Sequence, residues 1–120
     1  MVKGKVLIVE DEEDVITILK EVLETKGYEV ITIQDSHQAF DKIVSSLPDI
    51  ILLDVMMPGI SGYEICKRLK GDKITKDIPV VMLSARAQKD DVKKGFWSGA
   101  DEYVTKPFDV FQLIDRLDRY

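Results

Sequence analysis

Four stretches of this chain end an apolar run on a side chain that can do chemistry. "VLIVEDEED" ends on the acids Glu10 and Asp11, "DIILLDVMMPG" on Asp54, "IPVVMLSA" on Ser84, and "DEYVTK" on Lys106. Each has a plain explanation when taken alone. Acids favour the first turn of a helix because of its dipole, a serine suits a turn, and a lysine suits a wet surface. Brought together, they describe something else. Carboxylates from Glu10, Asp11 and Asp54 would repel one another near a low-dielectric sheet edge, and a hard divalent cation would relieve them. Few oxygen donors with room for water suit Mg2+, and the backbone carbonyl of Met56 could add another oxygen. Lys106 offers a compact positive charge and Ser84 a hydroxyl donor for phosphate oxygens, with the small Ala85 leaving space beside them. The chemistry that needs this set is phosphoryl transfer, with an Asp carboxylate attacking phosphorus in line.

The elements must deliver these groups to one place. Apolar runs at Lys5–Val9, Glu29–Ile33, Ile50–Leu53, Pro79–Leu83 and Glu102–Thr105 read as strands. The first, third and fourth are almost wholly aliphatic, as strands covered on both faces are; the second and fifth are mixed, as edge strands are. Helical spacing fills the gaps. Val15, Leu19, Val22 and Leu23 share a face that Gly27 ends, and Ala39, Phe40, Ile43, Val44 and Leu47 share another, with Ser36 as its N-cap and Pro48 as its stop. Tyr63, Cys66, Leu69 and Lys70 predict a third helix, Val92, Phe96 and Gly99 a fourth, and Phe111, Leu113, Ile114 and Leu117 a fifth. Repeated strand–helix alternation predicts an α/β fold, a doubly wound parallel sheet of five strands with helices on both faces. Ligands of such sheets sit outside the carboxyl ends of the strands, where all four chemical stretches end.

Composition bounds the alternatives. The chain has 120 residues, 45% of them hydrophobic and 32% charged, with a net charge of −5. That predicts a single domain over residues 1–120, with no general attraction to nucleic acid or anionic lipid. No apolar run approaches a membrane span, and the acidic block after the first apolar run does not suit a signal peptide. The lone Cys66 cannot form an internal disulfide, which fits the cytoplasm, and it reads as an inert packing residue. His37, the only histidine, lies away from the predicted site and reads as a surface residue.

These residues, over essentially the whole chain, resemble the receiver domain of bacterial two-component response regulators. The resemblance rests on "VLIVEDEED", "PDIILLDVMMPGISGYE", "IPVVMLSA" and "GADEYVTKPF" in that order. It implies a flavodoxin-like strand order 2-1-3-4-5. It implies that Asp54 is the phosphoacceptor, that Glu10, Asp11, Asp54 and the Met56 carbonyl hold Mg2+, and that Ser84 and Lys106 hold the phosphoryl oxygens. Tyr103 matches the aromatic switch position, whose ring turns inward when Ser84 moves, and the Lys106–Pro107 peptide is expected to be cis. Arg86 and Met56 match positions flanking the approach of water to phosphorus, which implies a long-lived phosphorylated state. The implied partners are a sensor histidine kinase and a downstream effector that reads the fourth helix, fifth strand and fifth helix, where an exposed Trp97 would join Tyr103. The chain is then expected not to be a turnover enzyme but a phosphoacceptor that assists its own phosphorylation and dephosphorylation. Glu10 stands where many members have Asp, and Ser61 where Asp is frequent; neither change touches the chemistry.

Other readings fit less well. A haloacid-dehalogenase-like phosphatase needs a second Asp two residues after the nucleophile, where this chain has Met56, which transfers no proton. A flavodoxin-like cofactor binder needs a Gly/Ser/Thr loop after the first strand, where five acids stand here. A phosphorylation-independent binding module remains the alternative, and the presence of every site residue argues against it.

Overall fold

The computed structural model describes residues 3–86 and 88–120. Strands β1 (Gly4–Val9), β2 (Tyr28–Ile33), β3 (Ile50–Asp54), β4 (Val80–Ser84) and β5 (Glu102–Thr105) alternate with helices α1 (Glu13–Thr25), α2 (Ala39–Ser46), α3 (Gly62–Lys70), α4 (Lys89–Trp97) and α5 (Val110–Leu117). A short 3-10 turn, Ser36–Gln38, precedes α2. All strand pairs are parallel, in the order β2-β1-β3-β4-β5, as expected. The aliphatic runs of β3 and β4 are wholly buried, and the mixed strands β2 and β5 form the edges. Each fully buried Leu or Ile contributes about 1.5–3 kcal/mol, so this centre supplies much of the fold's stability.

The pleat divides the side chains into two layers. Leu7, Val9, Leu53 and Met82 pack with Ala39 and Ile43 of α2 and Cys66 and Leu69 of α3. Ile8, Leu52, Leu83 and Val81 pack on the other face with Leu19 and Leu23 of α1 and Leu113, Ile114 and Leu117 of α5. Register then decides what meets at the carboxyl edge. Val9 is level with Leu53, Asp54 with Leu83, and Ser84 with Thr105. The backbone ladder runs one residue further, through Glu10 N–H to the Ile33 carbonyl and Lys106 N–H to the Ser84 carbonyl. Counting the alternation outward puts Glu10, Asp54 and Lys106 on the α1/α5 face and Ser84 on the other.

Several helix details differ from the sequence expectation. Gly27, at φ +98°, ends α1 as expected. Ser36 is not the cap before α2: Asp35 caps the 3-10 turn by accepting the His37 N–H, and Ser36 turns inward. Val92 and Phe96 do not make the buried face of α4. Gly95 does, and Phe96 is 47% exposed. A glycine carries no apolar signal, so periodicity misplaced that face by one residue. Phe111 is 64% exposed because the inward stripe of α5 begins at Val110 and continues through Leu113, Ile114 and Leu117.

Gly62 opens α3 directly behind the phosphoacceptor candidate. Its N–H donates to the Val55 carbonyl at 3.0 Å. A methyl group there would lie 2.6 Å from the Asp54 carbonyl oxygen and 2.7 Å from Val55 Cα, both backbone atoms that cannot swing aside. Gly62→Ala is expected to lower the unfolding free energy by roughly 1–3 kcal/mol, measured by urea denaturation.

Candidate functional site

Asp54 closes β3 and is 3% exposed. Its Oδ1 accepts the Met56 N–H at 3.1 Å, and its Oδ2 lies 3.7 Å from Lys106 Nζ. Glu10 is fully buried, with Oε1 2.7 Å from the same ammonium. Glu12 reaches Lys106 from above at 3.3 Å. Lys106 thus faces three carboxylates with one positive charge. The Lys106–Pro107 peptide is cis, as expected.

The charge imbalance is visible in the proton affinities. Burial is the main force pushing the Glu10 carboxyl up to about 8, with Asp54 beside it adding and Lys106 opposing. Burial also raises Asp54, while the Met56 N–H and Lys106 pull it back. For Lys106, burial alone would lower the ammonium's pKa, but Glu10, Asp54 and Glu12 outweigh it and raise it.

Glu10 Oε2 is buried with no hydrogen-bond partner among the described residues. A buried carboxylate oxygen left alone is costly, and a cation is one way to satisfy it. Glu10, Asp11 and Glu12 can bring carboxylate oxygens within 4.8 Å of one another. This donor set is hard, anionic and only partly offset by Lys106, and it fits a divalent cation such as Mg2+. The sequence reading chose Glu10, Asp11, Asp54 and the Met56 carbonyl and passed over Glu12. Its signal lay in the same acidic run. Glu12 sits at the N-cap of α1 yet makes no side-chain cap bond, which leaves its carboxylate available to the cleft.

Ser84 and Tyr103 lie on the other side of the sheet and bond to the two backbone groups of one residue, Arg86. Ser84 Oγ accepts the Arg86 N–H at 3.0 Å, and Tyr103 Oη donates to the Arg86 carbonyl at 2.8 Å. The half-buried Tyr103 ring packs under Gly95 of α4, where an added Cβ would sit 2.6 Å from the ring. Trp97 is 83% exposed, as expected. It stands two residues, about 200°, round the helix from Gly95, and lines a groove with Tyr63 and Lys67 of α3. Trp97 thus opens on the α3 side of α4, while Tyr103 packs under Gly95. Arg86 is held toward α4 by an ion pair with Asp91 at 3.5 Å. Ala85 and Lys106 open onto a cavity of about 480 Å³ between α1 and α5, walled by Val15, Ile18 and Phe108. Cys66 is buried, which raises its thiol pKa and fits an inert packing residue. No helix among the described residues is long and apolar enough to cross a membrane.

Comparison with known proteins gives a consistent result. Residues 6–118 match the family model described as the response regulator receiver domain. The chain is 44% identical over 117 residues to the phosphate regulon transcriptional regulatory protein PhoB of Pseudomonas aeruginosa, covering 98% of this chain and 51% of that protein. It therefore spans about half the length of the curated relatives it matches. The chemotaxis protein CheY4 of Vibrio cholerae superimposes with a TM-score of 0.90 at 31% identity, covering 97% of each chain. The receiver domain of sensor histidine kinase PA1611 from Pseudomonas aeruginosa superimposes with a TM-score of 0.89 at 27% identity, covering 98% of this chain and 96% of that one. That structure has a magnesium ion coordinated in its active-site cleft.

The raised Glu10 carboxyl sets a sign for stability. In the folded, metal-free protein Glu10 keeps a proton to about pH 8 that the unfolded chain releases near the ordinary carboxylate range. Between those values the folded state binds more protons, so stability falls as pH rises. The shift of Asp54 acts in the same direction. In EDTA the urea midpoint is expected to drop from pH 5 to pH 8, and Glu10→Gln to flatten that drop.

Proposed function

The chain belongs to the response regulator receiver domain family, and on that footing we propose that Asp54 accepts a phosphoryl group from the phosphohistidine of a sensor histidine kinase. The observation that carries the proposal is a buried Asp54 carboxylate held 3.7 Å from Lys106, beside a Glu10 oxygen with no hydrogen-bond partner among the described residues. An Asp54 carboxylate oxygen attacks phosphorus in line, the phosphorus–nitrogen bond breaks, and the imidazole leaves with the bonding pair. Glu10, Asp11 and Asp54, with the Met56 carbonyl, would hold Mg2+, which when bound offsets charge on the phosphoryl oxygens. Lys106 shifts from its carboxylates to those oxygens as a point charge. Asp54 in this reading is consumed and regenerated rather than turned over, so the chain is a phosphoacceptor that assists its own phosphorylation and dephosphorylation, not a turnover enzyme.

The switch follows from the two bonds to the Arg86 backbone. Ser84 cannot turn toward a phosphoryl oxygen without giving up the Arg86 N–H, and Tyr103 is tied to the carbonyl of the same residue. Phosphorylation would thus shift an existing balance of two states and move α4 through the Tyr103–Gly95 contact. A downstream effector would read the change on α4, β5 and α5, with the cytoplasm as the setting. Arg86 and Met56, both large and exposed, would slow the approach of water to phosphorus.

Intact mass after incubation with acetyl phosphate tests the chemistry. A single phosphoryl adduct is expected with Mg2+, none in EDTA, and none in Asp54→Asn. No adduct in protein that demonstrably binds Mg2+ would favour the phosphorylation-independent binding module.

A further inference from the structure

The loop from Val55 to Ser61 joins β3 to α3 and carries Met56. Its ends are tied by two bonds, Met56 N–H to the Asp54 side chain (Oδ1) at 3.1 Å and Gly62 N–H to the Val55 carbonyl at 3.0 Å. The middle of the loop is tied instead by a side chain from another part of the fold. Ser36, in the turn after β2, is 2% exposed. Its hydroxyl donates to the Pro58 carbonyl at 2.8 Å and accepts the Ile60 N–H at 3.0 Å. One oxygen therefore closes the Pro58–Ile60 turn around Gly59, satisfying a carbonyl and an amide that would otherwise be part-buried and unpaired.

The surroundings are built for this contact. Gly59 has φ +91°, a conformation side chains rarely adopt, and a Cβ on it would lie 2.8 Å from Ser36 Oγ and 2.7 Å from His37 Nε2. The absent side chain is what lets the loop come down onto Ser36 and His37. Asp35 accepts the His37 N–H at 2.9 Å and so pins the backbone that presents Ser36. His37 is thus an exposed surface residue, as expected, but one whose ring covers the turn. A serine whose only task was to cap α2 would need none of these features.

We propose that Ser36 is a positioning residue for the metal site: its hydroxyl fixes the loop that presents the Met56 carbonyl and thereby sets the affinity for Mg2+. This rests on the reading of Met56 as a ligand given under the proposed function. Removing the hydroxyl strands the Pro58 carbonyl and the Ile60 N–H, and the turn gains conformations in which the loop no longer keeps its shape. Order lost before binding must be restored at binding, so the cost appears in the affinity for the ion rather than in the chemical step.

The test is Mg2+ titration calorimetry on wild type, Ser36→Ala and Ser36→Thr, with amide exchange at Ile60 in the metal-free proteins and acetyl phosphate labelling followed against Mg2+. Ser36→Ala is expected to weaken Mg2+ binding roughly tenfold, as the loss of outer-shell support does elsewhere. Its Ile60 amide should lose protection while the β3 amides keep theirs. Its labelling rate should return to the wild-type plateau at saturating Mg2+. Ser36→Thr, which keeps the hydroxyl, should keep the wild-type midpoint. A purely structural serine would lower thermal stability without moving the Mg2+ midpoint, and that result overturns the proposal. Should Ser36→Ala fail to fold, Gly59→Ala, which pushes the turn off the same oxygen, carries the test, and an unmoved midpoint overturns the proposal equally. Wild-type protein that binds no Mg2+ would overturn the metal reading itself, whereas normal wild-type binding matched by Ser36→Ala would overturn only the role of Ser36.

Discussion

Three carboxylates around one half-buried ammonium are the constraint on which the rest of this fold depends. Like charges gathered at a low-dielectric sheet edge repel strongly, and nothing about the core favours them. They stay because the chain leaves them nowhere else to go. Asp54 ends a strand whose every residue is buried, Glu10 follows β1 in level register with it, and Lys106 is held by its own backbone bond to Ser84. The result is an anionic cleft that holds protons tightly and leaves one oxygen of Glu10 without a hydrogen-bond partner among the described residues. A hard cation and a phosphoryl group are the partners whose charge such a cleft matches.

The pleat divides the site between two faces. Successive side chains of a strand point to opposite faces, so Glu10, Asp54 and Lys106 rise on the α1/α5 side, while Ser84 and Tyr103 belong to the α2/α3 side. The two groups communicate through the segment that follows β4. Because the amide and carbonyl of Arg86 are taken by Ser84 and Tyr103, a change at Ser84 acts on the backbone of the residue whose carbonyl anchors the Tyr103 hydroxyl. The Tyr103 ring lies against Gly95 with no space to spare, which makes α4 the element that such a change would move first.

What could be read from the sequence divides along physical lines. The five strands, their parallel order and the placement of Asp54, Ser84 and Lys106 were legible, because long aliphatic runs have few other uses and because strand ends in a doubly wound sheet converge. Features that depend on one side chain finding one distant partner were not. Ser36 before a helix reads as a cap, and nothing local says that it bonds across to Pro58 and Ile60. The buried face of α4 was misplaced because its closest contact is made by a glycine, and Phe111 because a short helix leaves the phase of its stripe open by one residue. Glu12 was passed over because an acid at a helix start already has an explanation in the helix dipole.

The central claim is that Asp54, and no other carboxylate of the crowded cleft, forms the acyl phosphate. Borohydride reduces an acyl phosphate to the alcohol, so it turns a phosphorylated aspartate into homoserine and leaves ordinary carboxylates alone. Peptide mass mapping after acetyl phosphate, Mg2+ and borohydride treatment reads the position directly. The account predicts homoserine at position 54 only. Homoserine at position 11, or none in protein that carries a phosphoryl adduct, would contradict it.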